Sequence, residues 1–153
     1  MQFVMTPVGF VRGGRTTPED DDWGASHAAI ALDGGRFEAE ALAGLDAFSH
    51  LEVVYVFDRV DEAKVVTGAR HPRGNPDWPK VGVFAQRAKA RPNRIGVGVC
   101  RIVKVEGLRI EVEGLDAIDG TPVLDLKPVM TGFAPRGEVR EPDWAKALMA
   151  GYW

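Results

Sequence analysis

Apolar and polar residues alternate with a period of two along residues 95–112, and one turn interrupts the pattern. Isoleucine or valine stands at positions 95, 97, 99, 103 and 105. After Glu106 and Gly107, apolar residues at 108, 110 and 112 alternate with charged ones. This period is typical of strands with one buried face, and a short turn joins antiparallel strands. The pattern predicts a β-hairpin whose odd-numbered first-strand residues share one face.

Five further stretches have strand character. VMTPVGFVRG (4–13) contains Pro7 and Gly9, which favours an edge or a bend. HLEVVYVFDRV (50–60) is nearly continuously apolar at its centre, which predicts a strand buried on both faces. Shorter strands are predicted over 28–32, 81–85 and 123–127.

The remaining segments predict loops and little helix. RTTPEDDDWG (15–24) has no periodicity, and GARHPRGNPDWPK (68–80) holds three prolines and two glycines, so both are expected to be loops. Residues 37–45 predict one or two helical turns, and a helix is expected to begin near Pro142 and end near Gly151. Many short strands with few helices indicate an antiparallel barrel or sandwich.

Composition indicates one globular domain. The chain has 153 residues, of which 45% are hydrophobic and 27% charged. No apolar run approaches the roughly 20 residues that cross a bilayer, and the first residues lack a secretory-signal pattern, so a cytoplasmic location without membrane contact is expected. Cys100 has no partner cysteine and is predicted to be a buried strand residue rather than a reactive thiol.

Charge is distributed unevenly along the chain. Residues 64–104 contain ten Lys or Arg and a single acid, Asp77, although the whole chain carries a net charge of −3. The segment has a local charge of +9, and the rest of the chain −12. This separation favours a surface that binds a polyanion, the alternative being a solvated basic surface without a function.

Familiar catalytic motifs are missing from the sequence. Gly96-Val97-Gly98 lies inside a strand pattern rather than between a strand and a helix, so it does not predict a dinucleotide loop. The two glycines instead predict curvature, or close approach of a ligand or neighbouring backbone. No pattern for zinc, ATP hydrolysis or serine hydrolysis is present, and no metal is expected.

Two segments have unusual composition. GVFAQRAKARPNRIGVGV (82–99) clusters arginine and lysine around Pro92 and Asn93, and GLDAIDGTPVLDLKP (114–128) places aspartates between apolar residues. Aspartates so close to strands need partners to offset the cost of desolvation, and the arginine-rich segment is expected to supply them.

These segments, with FSHLEVVYVF (48–57), resemble the TsaA-like domain family, which includes the tRNA N6-threonylcarbamoyladenosine methyltransferases. The family has stretches such as GVFATRSPxRPNPIGLS and LDxxDGTPVLDIKPY, where this chain has GVFAQRAKARPNRIGVG and LDAIDGTPVLDLKPV. The resemblance runs from about Thr6 to Met130, and DGTPVLDLKP is its most specific part.

The resemblance implies a mainly β fold, a small antiparallel β-barrel over residues 1–135 with one or two short helices, residues 136–153 forming the C-terminal helix and tail of the same domain. It implies an enzyme that binds S-adenosylmethionine and methylates N6 of N6-threonylcarbamoyladenosine next to the anticodon of tRNA, as a homodimer with the site near the subunit interface. The cofactor-binding residues that it implies are His50, Leu51, Arg87, Val97, Asp119, Gly120, Thr121 and Pro122.

The basic segment is expected to bind the anticodon loop of tRNA through Lys89, Arg91, Asn93 and Arg94. Methyl transfer to the urea-like nitrogen removes a proton, for which His50 and Asp119 are candidates, with Tyr55 a weaker one. Simpler structural roles also fit some of these residues. His50 and the Asp119-Gly120 turn could serve only the fold, residues 91–93 could only fix a loop, and Trp23 and Trp78 could pack on the barrel rather than stack on a base.

The chain departs from the family pattern in three places. Arg94 replaces the second proline of RPNPIG, RTTPEDDDWG replaces a KFxxPRQ-like segment, and the chain is expected to be a short form without the C-terminal domain of longer members. The alternatives are therefore a methyltransferase for a different acceptor, a non-enzymatic module that senses S-adenosylmethionine, and a plain RNA-binding β-barrel.

Overall fold

The computed structural model describes residues 1–153, which form eight strands and one α-helix. The strands are β1 (Gly9–Arg12), β2 (His27–Leu32), β3 (His50–Val56), β4 (Ala69–Arg70), β5 (Val81–Gly82), β6 (Ile95–Glu106), β7 (Arg109–Glu113) and β8 (Pro122–Pro128), and the helix is α1 (Asp143–Met149). The 3-10 turns are Ala39–Leu42, Leu45–Ala47, Glu62–Lys64, Pro72–Gly74, Val83–Ala85, Pro92–Arg94 and Thr131–Phe133.

Six of the strands form a closed antiparallel barrel in the order β1-β2-β7-β6-β3-β8. The barrel closes where β8 returns to β1, with Gly9 opposite Val123 and Phe10 opposite Pro122. The expected small β-barrel is confirmed. Of the edge or bend expected for the first strand, the edge is excluded, because closure gives β1 a neighbour on each side.

The barrel has one core, and β3 shows how a strand turns alternate residues towards it. On β3, Leu51, Val53 and Tyr55 are buried, whereas the residues between them are only half-buried. The prediction that β3 is buried on both faces is therefore wrong. A barrel without an outer layer buries one face of each strand, and β-branched residues are also stable on the outer face.

The predicted hairpin is present as β6 and β7, but the valines of its first strand do not all share one face as predicted. Val97, Val99 and Val103 are exposed, and the buried positions of β6 are Gly96, Gly98 and Cys100. A register shift between Ile102 and Lys104 moves Val105 to the opposite face from the first two valines, where it packs against the core. Periodicity identified the strand, but not which of its faces is inside.

Among the shorter elements, some agree with the predictions and one does not. Residues 81–85 form a two-residue strand that pairs with β4 and then a 3-10 turn, so the predicted five-residue strand is wrong. Residues 15–24 contain no helix or strand, 37–45 contain 3-10 turns, and α1 begins directly after Pro142. The structure contains no helix with the length and hydropathy to span a bilayer.

Candidate ligand-binding site

The first half of β6 has an open edge. Phe57 N–H donates to the carbonyl of Arg94 at 2.8 Å, which fixes the alternation of hydrogen-bonded pairs between β3 and β6. Hydrogen-bonded and non-hydrogen-bonded pairs alternate along antiparallel strands, so the backbone N–H and C=O groups of Val97 and Val99 point away from β3. The strand on that side is β7, but it pairs with β6 only from Arg101 onward. The barrel wall therefore offers free peptide groups at this point.

Arg87 caps part of this edge. Its guanidinium Nη2 donates to the carbonyl oxygen of Val97 at 2.6 Å, and the side chain is otherwise exposed. No carboxylate lies within ion-pair distance of Arg87. The structure thus brings together two of the residues predicted to contact the cofactor, Arg87 and Val97, and leaves further donors of Arg87 available to an anion.

The carboxylate of Asp116 lies at the same edge and is held by two tyrosines. Tyr55 donates to Oδ1 at 3.0 Å, and Tyr152 donates to Oδ2 at 2.6 Å. A Cβ on Gly98 would lie 2.5 Å from Oδ1, and one on Gly96 would lie 2.5 Å from the ring of Tyr55. The two glycines therefore allow close approach, but the neighbours that approach are side chains and not the ligand or backbone that was predicted.

Burial and the nearby Asp116 charge set the ionisation of these tyrosines. Desolvation raises the pKa of both phenols, and the Asp116 carboxylate raises it further, while the positive charge of Arg87 acts in the opposite direction. Both phenols are therefore protonated donors at neutral pH. Arg87 lies near the Tyr55–Asp116–Tyr152 cluster, because its partner Val97 directly precedes Gly98, against which the Asp116 carboxylate packs.

The turn before β8 forms the neighbouring wall. Asp119 Oδ1 accepts from the backbone N–H of Gly13 at 2.8 Å, and its carbonyl accepts from Arg59 at 2.9 Å. Gly120 has φ of +86° and donates to the carbonyl of Val11, a conformation that other residues adopt with strain. Thr121 is buried, and Pro122 begins β8. These contacts make the turn rigid.

His50 and Leu51 lie at the opposite end of the barrel wall. In the register of β3 and β8, Leu51 faces Pro128 whereas Tyr55 faces Val123. His50 and Tyr55 are five residue steps apart along the strand, a span of roughly 16 Å. His50 is exposed and its Nδ1 is hydrogen-bonded to Ser49, whereas the Leu51 side chain is completely buried. A single chain therefore does not gather all the predicted cofactor residues at one place.

Two of the predicted RNA-contacting arginines also support local structure. Arg91 donates to the carbonyl of Gln86 and Arg94 to the carbonyl of Val60, both at 2.8 Å, and Arg94 forms an ion pair with Glu62. Asn93 has a φ of +63° and, like Lys89, is exposed. Lys89 and Asn93 are thus the freer side chains of the group.

The loop over residues 15–24 and the C-terminal tail, residues 151–153, close this end of the barrel. The Arg15 guanidinium lies 4.3 Å from the ring centre of Trp23, which is buried, as the packing alternative for this residue expects. The backbone of residues 22 and 23 donates to the carbonyls of Gly151 and Tyr152. These hydrogen bonds place the Tyr152 hydroxyl within hydrogen-bonding distance of Asp116.

Asp116 and Tyr152 were missed as functional candidates, and the expected partners of the aspartates were wrong. Tyrosines hold Asp116, a backbone N–H holds Asp119, and Lys127 holds Asp125, where arginines of the 82–99 segment were expected. The cluster joins positions 55, 116 and 152, and such separations leave no local spacing signal. Only the glycines at 96 and 98 indicated a close neighbour. The structure contains no group of three or more metal-binding side chains.

Comparison with known proteins gives the family of this chain. Residues 14–134 match the family described as the tRNA-methyltransferase O N-terminal domain. A human tRNA (adenine(37)-N6)-methyltransferase is 39% identical over 102 residues, which are 67% of this chain and 23% of that protein. A probable S-adenosyl-L-methionine-binding protein of Pyrococcus abyssi is 36% identical over 140 residues, covering 88% of this chain and 72% of that protein.

A solved structure has the same fold. The crystal structure of TrmO superposes with a TM-score of 0.76 at 29% identity, covering 92% of this chain and 64% of that one. This chain spans less than a quarter of the human relative and under two thirds of the TrmO chain. The family match covers most of the present chain, including the open edge of β6 and the turn before β8. The chain therefore belongs to the tRNA-methyltransferase O N-terminal domain family.

Proposed function

We propose that this protein is an S-adenosylmethionine-dependent methyltransferase that acts on N6 of N6-threonylcarbamoyladenosine next to the anticodon of tRNA. The observation that carries the proposal is the convergence of the family-matched residues Arg87, Val97 and Asp119 to Pro122 on one end of the barrel. These residues lie around an open strand edge, where Arg87 is a cation without an ion-pair partner. A site of this kind suits a nucleoside that carries an amino-acid chain.

The donor set of this end fits the cofactor. Free peptide groups at Val97 and Val99 suit the polar edge of a purine, and Arg87 suits a carboxylate. The rigid turn at Asp119 and Gly120 offers acceptors for hydroxyl groups. When bound, S-adenosylmethionine supplies an electrophilic methyl group on a sulfonium. These residues contribute by holding the acceptor nitrogen in line with that methyl group. Correct placement of the two reacting atoms supplies much of the rate of methyl transfer.

His50 and Asp119 are proposed as the residues that assist proton removal from the acceptor. Because His50 lies roughly 16 Å along β3 from the Tyr55 end, it reaches a site of this kind only if another chain presents it. A homodimer in which His50 and Leu51 of one protomer approach the Asp119 turn of its partner would unite the predicted residues. The exposed outer valines of β6, Val97 and Val99, support such an interface.

The tRNA contacts are proposed to come from the basic segment, with Lys89 and Asn93 reaching the anticodon loop and Arg91 and Arg94 shaping the loop that carries them. A tRNA substrate also implies a cytoplasmic location. Binding should weaken with salt, because lysine and arginine displace counterions from phosphates. A Lys89→Glu variant should bind tRNA more weakly and S-adenosylmethionine unchanged, whereas Lys146→Glu in α1 should affect neither.

The decisive experiment is mass spectrometry of tRNA nucleosides. Purified protein with S-adenosylmethionine and tRNA from a strain lacking the activity should produce the N6-methylated form of N6-threonylcarbamoyladenosine, and a mock reaction should not. Binding of S-adenosylmethionine without methylation of any nucleoside would contradict the methyltransferase and favour a sensing module. Binding of tRNA without S-adenosylmethionine binding would favour an RNA-binding barrel.

A further inference from the structure

Phe84 is an exposed aromatic residue in the most basic part of the chain. It is 78% exposed, it packs against no other aromatic ring, and no guanidinium lies over its face. A single exposed apolar residue is ordinary on a protein surface, so exposure alone does not indicate a partner. Phe84 differs from the other exposed apolar residues in how the backbone holds it and in the charges around it.

The 3-10 turn Val83–Ala85, which carries Phe84, is fixed at both ends. Before the ring, Val83 is buried and its N–H donates to the carbonyl of Gly68 at 2.9 Å. After the ring, Gln86 is buried, and its side-chain amide donates to two carbonyls of the β4–β5 sheet, at 2.9 and 3.1 Å. The backbone therefore holds the ring in solvent, and little conformational entropy is lost when a flat ligand packs on it.

Cations lie around this turn, and none of them has a carboxylate partner. Lys80 and Arg87 flank the turn along the chain, and Arg70 lies on β4, which pairs with β5 directly before the turn. Arg91 donates to the carbonyl of Gln86 at 2.8 Å. No ion pair of the structure includes any of these cations, and the Nε of Arg70 is buried without a hydrogen-bond partner. The positive charge around the ring therefore favours a polyanion as its partner.

Two kinds of partner bury an exposed aromatic ring, namely an unpaired nucleobase and another protein surface. A symmetric contact between two copies of this chain, centred on Phe84, would bring the cations around the ring against their own copies. Single-stranded nucleic acid instead offers phosphates to the cations and the flat face of a base to the ring. The charge around Phe84 therefore favours nucleic acid over a second copy.

We propose that Phe84 stacks on an unpaired nucleobase of the anticodon loop, beside the adenosine that is methylated. This inference rests on the proposed function, because it assigns a further contact to the same substrate. An enzyme that modifies a base takes it out of its stack, so the neighbouring base loses a stacking partner. Phe84 is three residue steps from Arg87, a span of at most roughly 10 Å, so its ring lies where it can replace that partner.

The test compares an anticodon stem-loop that contains N6-threonylcarbamoyladenosine with an RNA duplex that has no unpaired base. Fluorescence anisotropy of the labelled RNAs, titrated with the full chain at one salt concentration, gives both dissociation constants. Phe84→Ala should weaken stem-loop binding by roughly 5- to 150-fold, the range for one base stacked on an aromatic ring, and duplex binding by less than about twofold. Phe84→Trp should bind both RNAs at least as tightly as the unchanged protein. Phe133→Ala is the matched control that should change neither, because Phe133 is 88% exposed and lies outside the basic segment.

A salt titration separates stacking from charge. Phe84→Ala should leave the slope of log Kd against log salt concentration unchanged, because an apolar ring releases no counterions from the RNA. Lys89→Gln should reduce that slope by about one, as expected for the loss of one phosphate contact. A reduced slope for Phe84→Ala would show that the ring acts by placing the cations rather than by stacking.

Other results would also overturn the assignment. If Phe84→Ala weakened both RNAs equally, or neither, the ring would stack on no base. If Phe84→Ala were a monomer in sedimentation analysis and the unchanged protein a dimer, a second copy would cover the ring. Should Phe84→Ala fail to fold, Phe84→Leu decides instead, because leucine keeps an apolar side chain and lacks the flat face. If the unchanged protein bound neither RNA, the tRNA proposal itself would fall, and this inference with it.

Discussion

At the residue scale, the absence of side chains at two inward positions of β6 shapes the interior of the barrel. Gly96 and Gly98 leave room for the ring of Tyr55 and the carboxylate of Asp116, so two absent side chains create the space for a polar cluster. Cys100, the next inward residue, is small as well and is buried. The inner face of β6 is therefore adapted to larger neighbours on β3 and on the segment before β8.

Replacing Gly98 by alanine should disturb this cluster directly. The added Cβ would lie 2.5 Å from Asp116 Oδ1, so the carboxylate must move, and we expect a loss of about 1–3 kcal/mol in the free energy of unfolding. Gly82→Ala is the matched control, because a Cβ there meets nothing within 4 Å and its φ of −61° suits alanine. Urea denaturation measures both. Equal stability of the two variants would contradict the close contact.

Cys100 should be inert in the folded protein. Burial, followed by the charge of Asp116, raises the pKa of its thiol to about 12. An aromatic disulfide reagent at pH 8 should therefore react with Cys100 only after denaturant is added, and fast reaction of the native protein would contradict its burial.

The same shift gives a pH dependence. Between about pH 9 and pH 12 the unfolded chain has released the Cys100 proton and the folded chain has kept it, so the unfolded state binds fewer protons and stability falls as pH rises. The slope should approach about 1.4 kcal/mol per pH unit from this thiol. Chemical denaturation of Cys100→Ala across this range should show a shallower decline than the unchanged protein, and identical slopes would contradict the raised pKa.

At the scale of elements, periodicity predicted the strands but not their inner faces. The hairpin, β2, β8 and α1 lie within one or two residues of the predictions, because each has local alternation or clear end signals. The face of β6 could not be predicted, since its outer valines are more apolar than its inner glycines. The brevity of β5 is equally invisible locally, because its length depends on pairing with the two residues of β4.

Within the hairpin, stability should depend on the inner face of β7. Ile110 is completely buried, so Ile110→Ala should cost about 2–5 kcal/mol in the free energy of unfolding. Val103→Ala on β6 should cost under about 0.5 kcal/mol, because that side chain is 46% exposed. The midpoint of a thermal or urea transition measures both, and a reversed order would show that the faces have been assigned incorrectly.

At the scale of the whole molecule, the site predicted from sequence is divided between two ends of one barrel. The family motifs identified Arg87, Val97 and the Asp119 turn, which the fold brings to one end, and also His50 and Leu51, which it does not. Motif matching does not report whether matched residues meet in one chain. The Asp116 cluster was not predicted from the sequence, because its three members are joined only by tertiary contacts. The division of the chain near residue 135 stays a prediction.

The proposed dimer gives the outer face of β6 a testable role. Val99→Asp places a charge in the middle of the exposed valines and should convert the dimer to monomers in sedimentation analysis, since burying an unpaired charge at an interface is costly. Val103→Asp is the control, with nearly the same exposure, 46% against 45%, but at the far end of the strand. An unaltered Val99→Asp dimer would place the interface elsewhere on the barrel.

Residues 131–142 connect β8 to α1, and every one of them is exposed. Their backbone makes hydrogen bonds only within the turn at 131–134 and at the start of α1. This stretch therefore acts as a tether, which sets the effective concentration of Tyr152 at Asp116 without adding contacts of its own. Severing it at Arg136 or Arg140 would turn the protein into a barrel and a detachable peptide, and the occupancy of Asp116 Oδ2 by Tyr152 would depend on peptide concentration, while Tyr55 would remain in place.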